Sequence, residues 1–436
     1  MIIGGGFTGL TAAWELSRDP GYSITLIEST GHLGGLAAGF PLLGTSLEKT
    51  YHHLFLTDTS ILKLAGELGL GDKLMTCESS MGIFRNGRIY PFMTPVDLLR
   101  FSPCSIGGRL RMGFTALWLK HKKNWRGLIG KSAHDWMRRA CGASAMETVW
   151  APLLKGKFSK YHEDISMAWL WARIHNRANT RGPGGREKLI YFRGGFNVVT
   201  QALENEIRRR GVKILTGTSA EKFLPGERAV VIGGETVPFD FCIFTGPSPA
   251  FARLLPEAGG ALDEYAAKLR SIEYLGAVCL IFTSDQELGS NYWVNVNEPD
   301  APFLVFLNHT RLVDRSFYGG KNVYYIGAYL PADSKIFLLP DEDLAKLWFG
   351  YLPKMFPEFD RARVGEKHIF HLSAAQHVVD TKYDKKIPDY RTPLPGVFLS
   401  NFSQVFPDDR GTNFAVREGL KIAGLVRAEA QLDPQK

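Results

Sequence analysis

The 436-residue chain has little cysteine: Cys77, Cys104, Cys141, Cys242 and Cys279, an odd number with no C-x-x-C pair. That count argues against a disulfide framework or a cysteine zinc site and fits a reducing compartment. No apolar stretch reaches the roughly 18 residues that a membrane-spanning helix needs. Thr11-Ala12-Ala13 has the small residues of a signal cleavage region, but no basic segment precedes the apolar start, so a cytoplasmic protein is expected. No run of basic residues interleaved with aromatics stands out, which sets nucleic acid aside as a partner. Spacing shows no Ser-His-Asp or Cys-His nucleophile. The pair His52-His53 has no third ligand type close by, so no metal site is expected.

Apolar residues make up 45% and charged residues 22%, the balance of a globular enzyme. The length calls for two domains. A net charge of +8 favours anionic partners such as phosphates or acidic lipid head groups.

The N-terminus carries the first motif. Met1-Ile2-Ile3 reads as a short strand, Gly4-Gly5-Gly6-Phe7-Thr8-Gly9 as a G-x-G-x-x-G turn, and Leu10 to Leu16 as a helix. Gly4 permits the tight turn, Gly6 lets the backbone approach a pyrophosphate, and Gly9 lets helix and strand pack closely. The strand is unusually short, as if the natural fold began earlier. A second β-like run, Ser23 to Ile27, ends at Glu28, about twenty residues past the glycines, where ribose hydroxyls need an acceptor. Gly31-His32-Leu33-Gly34-Gly35-Leu36 follows. Near the other end, Gly396 to Asn401 reads as a strand, Pro407 to Gly419 as a loop and helix start, and an amphipathic helix runs to about Gln431. A strand, a glycine turn and a helix N-terminus make another anion-favouring site.

Taken together, these ends resemble the superfamily of protoporphyrinogen oxidases, flavin amine oxidases, phytoene desaturases and UDP-galactopyranose mutases. Gly34-Gly35 resembles its R-x-G-G-R segment, with His32 and Leu36 where arginines are common. Gly411 and Ala415 match its Gly-x-x-x-Ala helix start, and Asn401 stands where an aspartate is usual. Arg193-Gly194-Gly195-Phe196, the helix-like run Val198 to Arg209, the strand-like Val212 to Leu215 and the run Phe239 to Pro247 resemble its mid-chain return, with Ala220 beside the adenine. The resemblance implies non-covalent FAD held by Gly4, Gly6, Phe7, Thr8, Gly9, Glu28, Ser29, Gly34, Gly35, Leu36, Ala220, Asn401, Gly411, Thr412, Asn413, Phe414 and Ala415. It implies an α/β fold: a discontinuous Rossmann-like FAD domain (1–76, 190–250, 391–436) and a sheet-plus-helix substrate domain (77–189, 251–390). The final helix would face the flavin edge that gains negative charge on reduction.

The remaining motifs concern the substrate. Tyr51-His52-His53-Leu54-Phe55 resembles a stretch that passes the flavin ring, so His52 and His53 are candidates for flavin or substrate contact; a backbone-satisfied turn is the other reading. Asn86-Gly87 between Gly82 and Pro91 predicts a type I′ hairpin. Between Arg109 and Lys131, Leu110, Phe114, Leu117 and Trp118 form one helical stripe and Met112 and Leu119 project to the other side, amid seven basic residues. This candidate membrane-surface helix, 107–131, would rest on acidic lipid at the inner surface; a core helix with a basic end is the alternative. Arg173 to Arg193, with Gly182-Pro183-Gly184-Gly185, reads as a basic loop gating a phosphate site or as a solubilising loop.

Amine oxidases place a lysine near the flavin on a strand resembling Tyr274 to Phe282, which has none. The resemblance therefore implies hydride transfer to or from a large apolar substrate, such as an isoprenoid lipid or porphyrin-like ring. A mutase acting on a phosphate-bearing nucleotide sugar or lipid with reduced FAD, and a flavin-retaining binding protein without turnover, stand as alternatives.

Overall fold

Five short apolar runs form one parallel sheet: β1 (Ile2–Ile3), β2 (Thr25–Ile27), β3 (Lys213–Leu215), β4 (Cys242–Phe244) and β5 (Val397–Leu399), in the order β3-β2-β1-β4-β5. A computed structural model describes residues 1–180 and 187–432. Two residues suffice for β1 because it is paired on both sides, Ile2 opposite Leu26 and Ile243. Continuous apolar strands of this kind belong to a parallel sheet covered on both faces. The chain leaves β1 in one direction to β2 and β3, and the other half of the sheet is built from β4 and β5. That reversal of strand order is where a crevice opens in a doubly wound sheet.

The helices that matter below are α1 (Phe7–Leu16), α2 (Thr59–Glu67), α3 (Pro95–Arg100), α4 (Ile106–His121), α5 (Ala151–Phe158), α6 (Met167–Asn179), α7 (Asn197–Arg209) and α8 (Thr412–Leu432). Gly9 is required for α1 to lie on β1: a Cβ there would stand 2.0 Å from the Gly4 carbonyl oxygen. Helix α8 crosses α1 just as closely, with Gly419 against the Thr8 carbonyl. Arg427 then ties the two helices through Glu15 at 2.7 Å.

A second, seven-stranded sheet runs in the order 364–377, 274–284, 322–330, 305–308, 293–296, 81–85, 88–91. It is antiparallel except where Trp293–Val296 joins Met81–Phe84 in parallel. Its last pair is the expected hairpin, and Asn86 (φ 52) and Gly87 (φ 69) both take the positive φ that a type I′ turn needs. The strand Tyr274–Ser284 lies between two long partners and is buried almost throughout. Helices α3 to α6 pack over a separate core that includes Phe101, Met112, Met137 and Trp169.

The basic stretch from Arg173 to Arg193 is not one loop. Arg173, His175 and Arg177 lie on α6, where Arg177 pairs with Glu187 at 3.1 Å, and Lys188 to Phe192 form a strand. Gly182 to Gly185, with Arg181 and Arg186, lie outside the described residues. No helix among the described residues is long and apolar enough to cross a membrane.

Candidate functional site

A cavity of about 760 Å³ opens at the carboxyl ends of β1, β2 and β4, where Ile3, Ile27 and Phe244 line it. Its floor is made of backbone. Gly4 holds φ +114°, and a Cβ on it would meet the Thr245 hydroxyl at 2.4 Å; that hydroxyl donates to the Gly4 carbonyl at 3.0 Å. Gly34 (φ +108°) and Gly35 (φ +58°) fold back on the same turn. The Gly34 N–H donates to the Gly5 carbonyl at 2.9 Å, and a Cβ on Gly35 would stand 3.0 Å from the Gly6 Cα. The two glycine motifs thus form one cradle.

The cradle suits an anion. Gly6 is the N-cap of α1 and offers no side chain to its first turn, so N–H groups of that turn and the positive end of the helix face the cavity. Gly411, Thr412 and Ala415 bring the start of α8 to the same cavity. Glu28 lies on the wall. One carboxylate oxygen accepts the Thr30 N–H at 2.8 Å and meets the Thr30 and Ser29 hydroxyls at 2.9 and 3.3 Å; the other accepts the Gly5 N–H at 2.8 Å and keeps a lone pair for a ribose hydroxyl. Together they fit a dinucleotide: a pyrophosphate on backbone N–H groups and an acid for the sugar.

Most of the expected residues meet here. Gly4, Gly6, Phe7, Thr8, Glu28, Ser29, Gly34, Gly35, Leu36, Ala220, Asn401, Gly411, Thr412 and Ala415 all line the cavity, as does His52. Asn401 is buried and oriented: its amide donates to the Gly246 carbonyl at 2.8 Å and its oxygen accepts the Ser403 N–H at 2.8 Å. Four positions fall elsewhere. Gly9 serves the helix–strand contact alone. Asn413 points away to α2, where its side-chain oxygen accepts the N–H groups of Ser60 (2.9 Å) and Ile61 (3.2 Å). Phe414 lies beneath the Arg417 guanidinium. His53 turns into the neighbouring core, with Nδ1 3.0 Å from the Tyr292 hydroxyl. Successive residues on a helix or extended segment face different sides, and this separates His52 from His53 and Thr412 from Asn413.

Lys49 went unrecognised in the sequence. It follows a hairpin strand, reaches the cavity and contacts Nε2 of His32. Burial, and then the Lys49 charge, hold the His32 pKa below its usual value. A neutral His32 ring therefore accepts from Lys49, which supplies a cation near the position where His32 replaces an arginine. Arg253 is a second lining cation without a sequence signal.

A smaller cavity of about 40 Å³ continues from the first, sharing Leu36, His52, Leu372 and Arg410. Ala277, Val278, Cys279 and Ala375 give it one aliphatic side, and Thr50, Tyr51, His52, Tyr329 and Arg410 bring polar groups to the rest. Burial raises the Tyr51 pKa well above its ordinary value, which keeps the phenol neutral. His52 is held down to about 4 by burial, opposed by its bond to the Thr50 carbonyl. Because Nδ1 lies 2.8 Å from that carbonyl, Nδ1 carries the proton and donates, leaving Nε2 as the acceptor. Arg410 supplies the charge on this wall: its guanidinium donates to Gln376 (3.1 Å) and the Tyr329 hydroxyl (2.9 Å). Behind Tyr329, Lys157 from α5 meets Asp409 at 2.8 Å, and Arg173 from α6 joins them. Burial draws the Lys157 pKa down to about 7. No group of three or more His, Cys, Asp and Glu side chains that could hold a metal occurs among the described residues.

Residues 7–407 match the family of flavin containing amine oxidoreductases. The chain is 23% identical over 259 residues to the coproporphyrinogen III oxidase of Staphylococcus aureus, covering 52% of this chain and 55% of that protein. It therefore spans just over half the length of that curated relative. It is also 23% identical to a 15-cis-phytoene desaturase from an Oncidium hybrid cultivar, across 99% of this chain and 77% of the relative. In fold it is similar to reduced UDP-galactopyranose mutase, with a TM-score of 0.75 at 16% identity over 100% of this chain and 96% of the other.

Proposed function

From the premise that the chain belongs to the flavin containing amine oxidoreductase family, an oxidoreductase family whose cofactor here is FAD, we propose that it oxidises, or in reverse reduces, a C–H position of a large apolar substrate such as an isoprenoid lipid or a porphyrin-like ring. The observation that supports this most is the small cavity next to the cofactor cleft, bordered by Ala277, Val278, Leu372 and Ala375 and by neutral Tyr51, which at about 40 Å³ receives only the reacting end of such a molecule. Bound FAD supplies a two-electron hydride acceptor or donor.

The chain's own part is positioning and dryness. The residues of the large cavity hold the cofactor, and the aliphatic side of the small cavity keeps water from the reacting C–H end of the substrate. Neutral His52 presents an acceptor at Nε2 to either cavity and can hold a proton only transiently. In this reading the cofactor part is 1–76 with 190–250 and 391–436, and the protein is cytoplasmic, at the periphery of a membrane.

One observation favours a second reading. The Arg410 guanidinium has neutral hydrogen-bond partners and no described carboxylate within ion-pair distance, which suits a phosphate-bearing sugar or lipid rearranged without net redox change. The purified protein should be yellow, and its visible flavin band should bleach anaerobically with a porphyrinogen or a polyene precursor. Turnover of a nucleotide sugar by the pre-reduced protein, without bleaching by either hydrocarbon class, would replace the first reading with the second.

A further inference from the structure

Helix α4 has two apolar faces, and the structure uses only one. Met112 and Leu119 point inward with Gly108 and Thr115 and are buried. Ile106, Leu110, Phe114, Leu117 and Trp118 point outward, and Ile106 and Phe114 are 69% and 72% exposed. Positions 106, 110, 114 and 117 recur at helical spacing, so the exposed side chains form one stripe along a helix about 24 Å long. Val96 and Leu99 on α3 extend the patch, joined to α4 by Arg109, whose guanidinium donates to the Leu99 carbonyl. Among the described residues, seven of the twelve exposed large apolar side chains fall between 96 and 118. A patch this concentrated marks an interaction surface.

Charge says what covers it. Between residues 95 and 131 the chain has eight Lys and Arg against one acid, so this short segment carries +7 of the chain's +8. None of the eight is ion-paired with a described carboxylate. The single acid, Asp97, is half-buried and closes the capping box of α3 with the N-cap Thr94, accepting the Thr94 N–H at 2.8 Å and the Met93 N–H at 3.0 Å. Some of these cations adjoin the patch: Lys122 stands 4.8 Å over the Trp118 ring, Arg109 reaches Leu99, and Lys120 and Lys123 follow on the last turn and just beyond, whereas Arg111 is turned to the Arg139 and Ala140 carbonyls. An apolar stripe with cations beside it is the pattern of a helix lying in a bilayer interface, with side chains in the acyl boundary and cations at anionic head groups. A protein partner would satisfy the apolar face without requiring this one-sided charge.

We infer that the outward face of α3 and α4 docks the protein on an anionic lipid surface. The inference is independent of the substrate: a soluble substrate would leave the face intact, and a lipid substrate does not create it.

Vesicle sedimentation of the FAD-loaded full chain tests it. Wild type should sediment with phosphatidylcholine–phosphatidylglycerol vesicles at low salt, much less with phosphatidylcholine alone, and release as salt screens the charges. Reversing Lys120, Lys122 and Lys123 to Glu should weaken binding by about a hundredfold or more, at roughly fivefold for each basic residue removed. Phe114→Ser with Leu117→Ser should weaken binding while leaving salt dependence in what remains. Phe114, Leu117 and Lys123 are exposed and Lys120 and Lys122 are half-buried, and an unchanged flavin spectrum confirms that both variants fold. Wild type that stays in the supernatant, or variants that sediment like wild type, would overturn the inference. So would a concentration-dependent dimer abolished by the Phe114 and Leu117 changes in a protein that ignores vesicles; that result assigns the face to a second copy.

Discussion

At Glu28 one carboxylate serves both the fold and the cofactor. It fastens the glycine turn through the Gly5 N–H and keeps a lone pair on the same oxygen for the cavity it lines. Glu28→Gln keeps an acceptor for Gly5 but loses the charge and part of the accepting capacity. FAD affinity should fall about tenfold, equal to about 1.4 kcal/mol, and the Thr30 N–H, left facing an amide NH2 in place of an acceptor, should cost the apo-protein about 1 kcal/mol of stability. Titrating apo-protein with FAD by flavin fluorescence measures this; unchanged affinity would remove Glu28 from the ribose. Glu28 was legible in the sequence because its distance from the glycines is set by one strand–helix–strand unit. Lys49 was not, since only folding carries it to His32.

At the scale of elements, α8 does more than meet the cofactor. Its second residue, Asn413, caps α2, whose own preceding residue Asp58 provides no side-chain cap. Asn413→Ala should therefore cost about 1 kcal/mol of stability, the usual worth of an N-cap, and leave FAD affinity unchanged. Urea unfolding with a parallel FAD titration separates the two, and a loss of affinity at full stability would return Asn413 to the cofactor. The same element shows why helix arrangement was readable and helix contacts were not. The run from Thr412 to Leu432 announces a helix, but Gly419 has meaning only once Thr8 lies against it.

For the whole molecule, acid sensitivity follows from buried groups. Burial holds His52 at about 4 and His53, His309 and His377 at about 3. Below pH 6.5 the unfolded chain binds protons on these four that the folded chain does not, so stability present at neutral pH is lost as pH falls towards 4. Glu48 and Asp58 act the other way: burial raises them to about 7 and about 6, so the folded state binds protons first and gains stability as pH falls to about 4.5. Four histidines against two carboxylates leave a net loss of up to about 3 kcal/mol per pH unit. Thermal unfolding at pH 7, 6 and 5 should show a steadily falling midpoint; a level or rising one would contradict the balance.

What the amino-acid sequence determined by itself was local and repetitive: the glycine turn, the strand that ends in Glu28, the Asn86-Gly87 hairpin and the apolar runs of the parallel sheet. Short-range sterics and strand or helix periodicity dictate these, so they are written in consecutive residues. The tertiary structure alone decided which side each residue faces. It sent His53 and Asn413 into other contacts, brought Lys157 from α5 and Arg173 from α6 to Asp409, and chose Met112 and Leu119 over Phe114 and Trp118 as the buried side of α4. Both faces of α4 are apolar in the sequence, and only packing against the neighbouring helices, which have room for one of them, selects which is left to the outside.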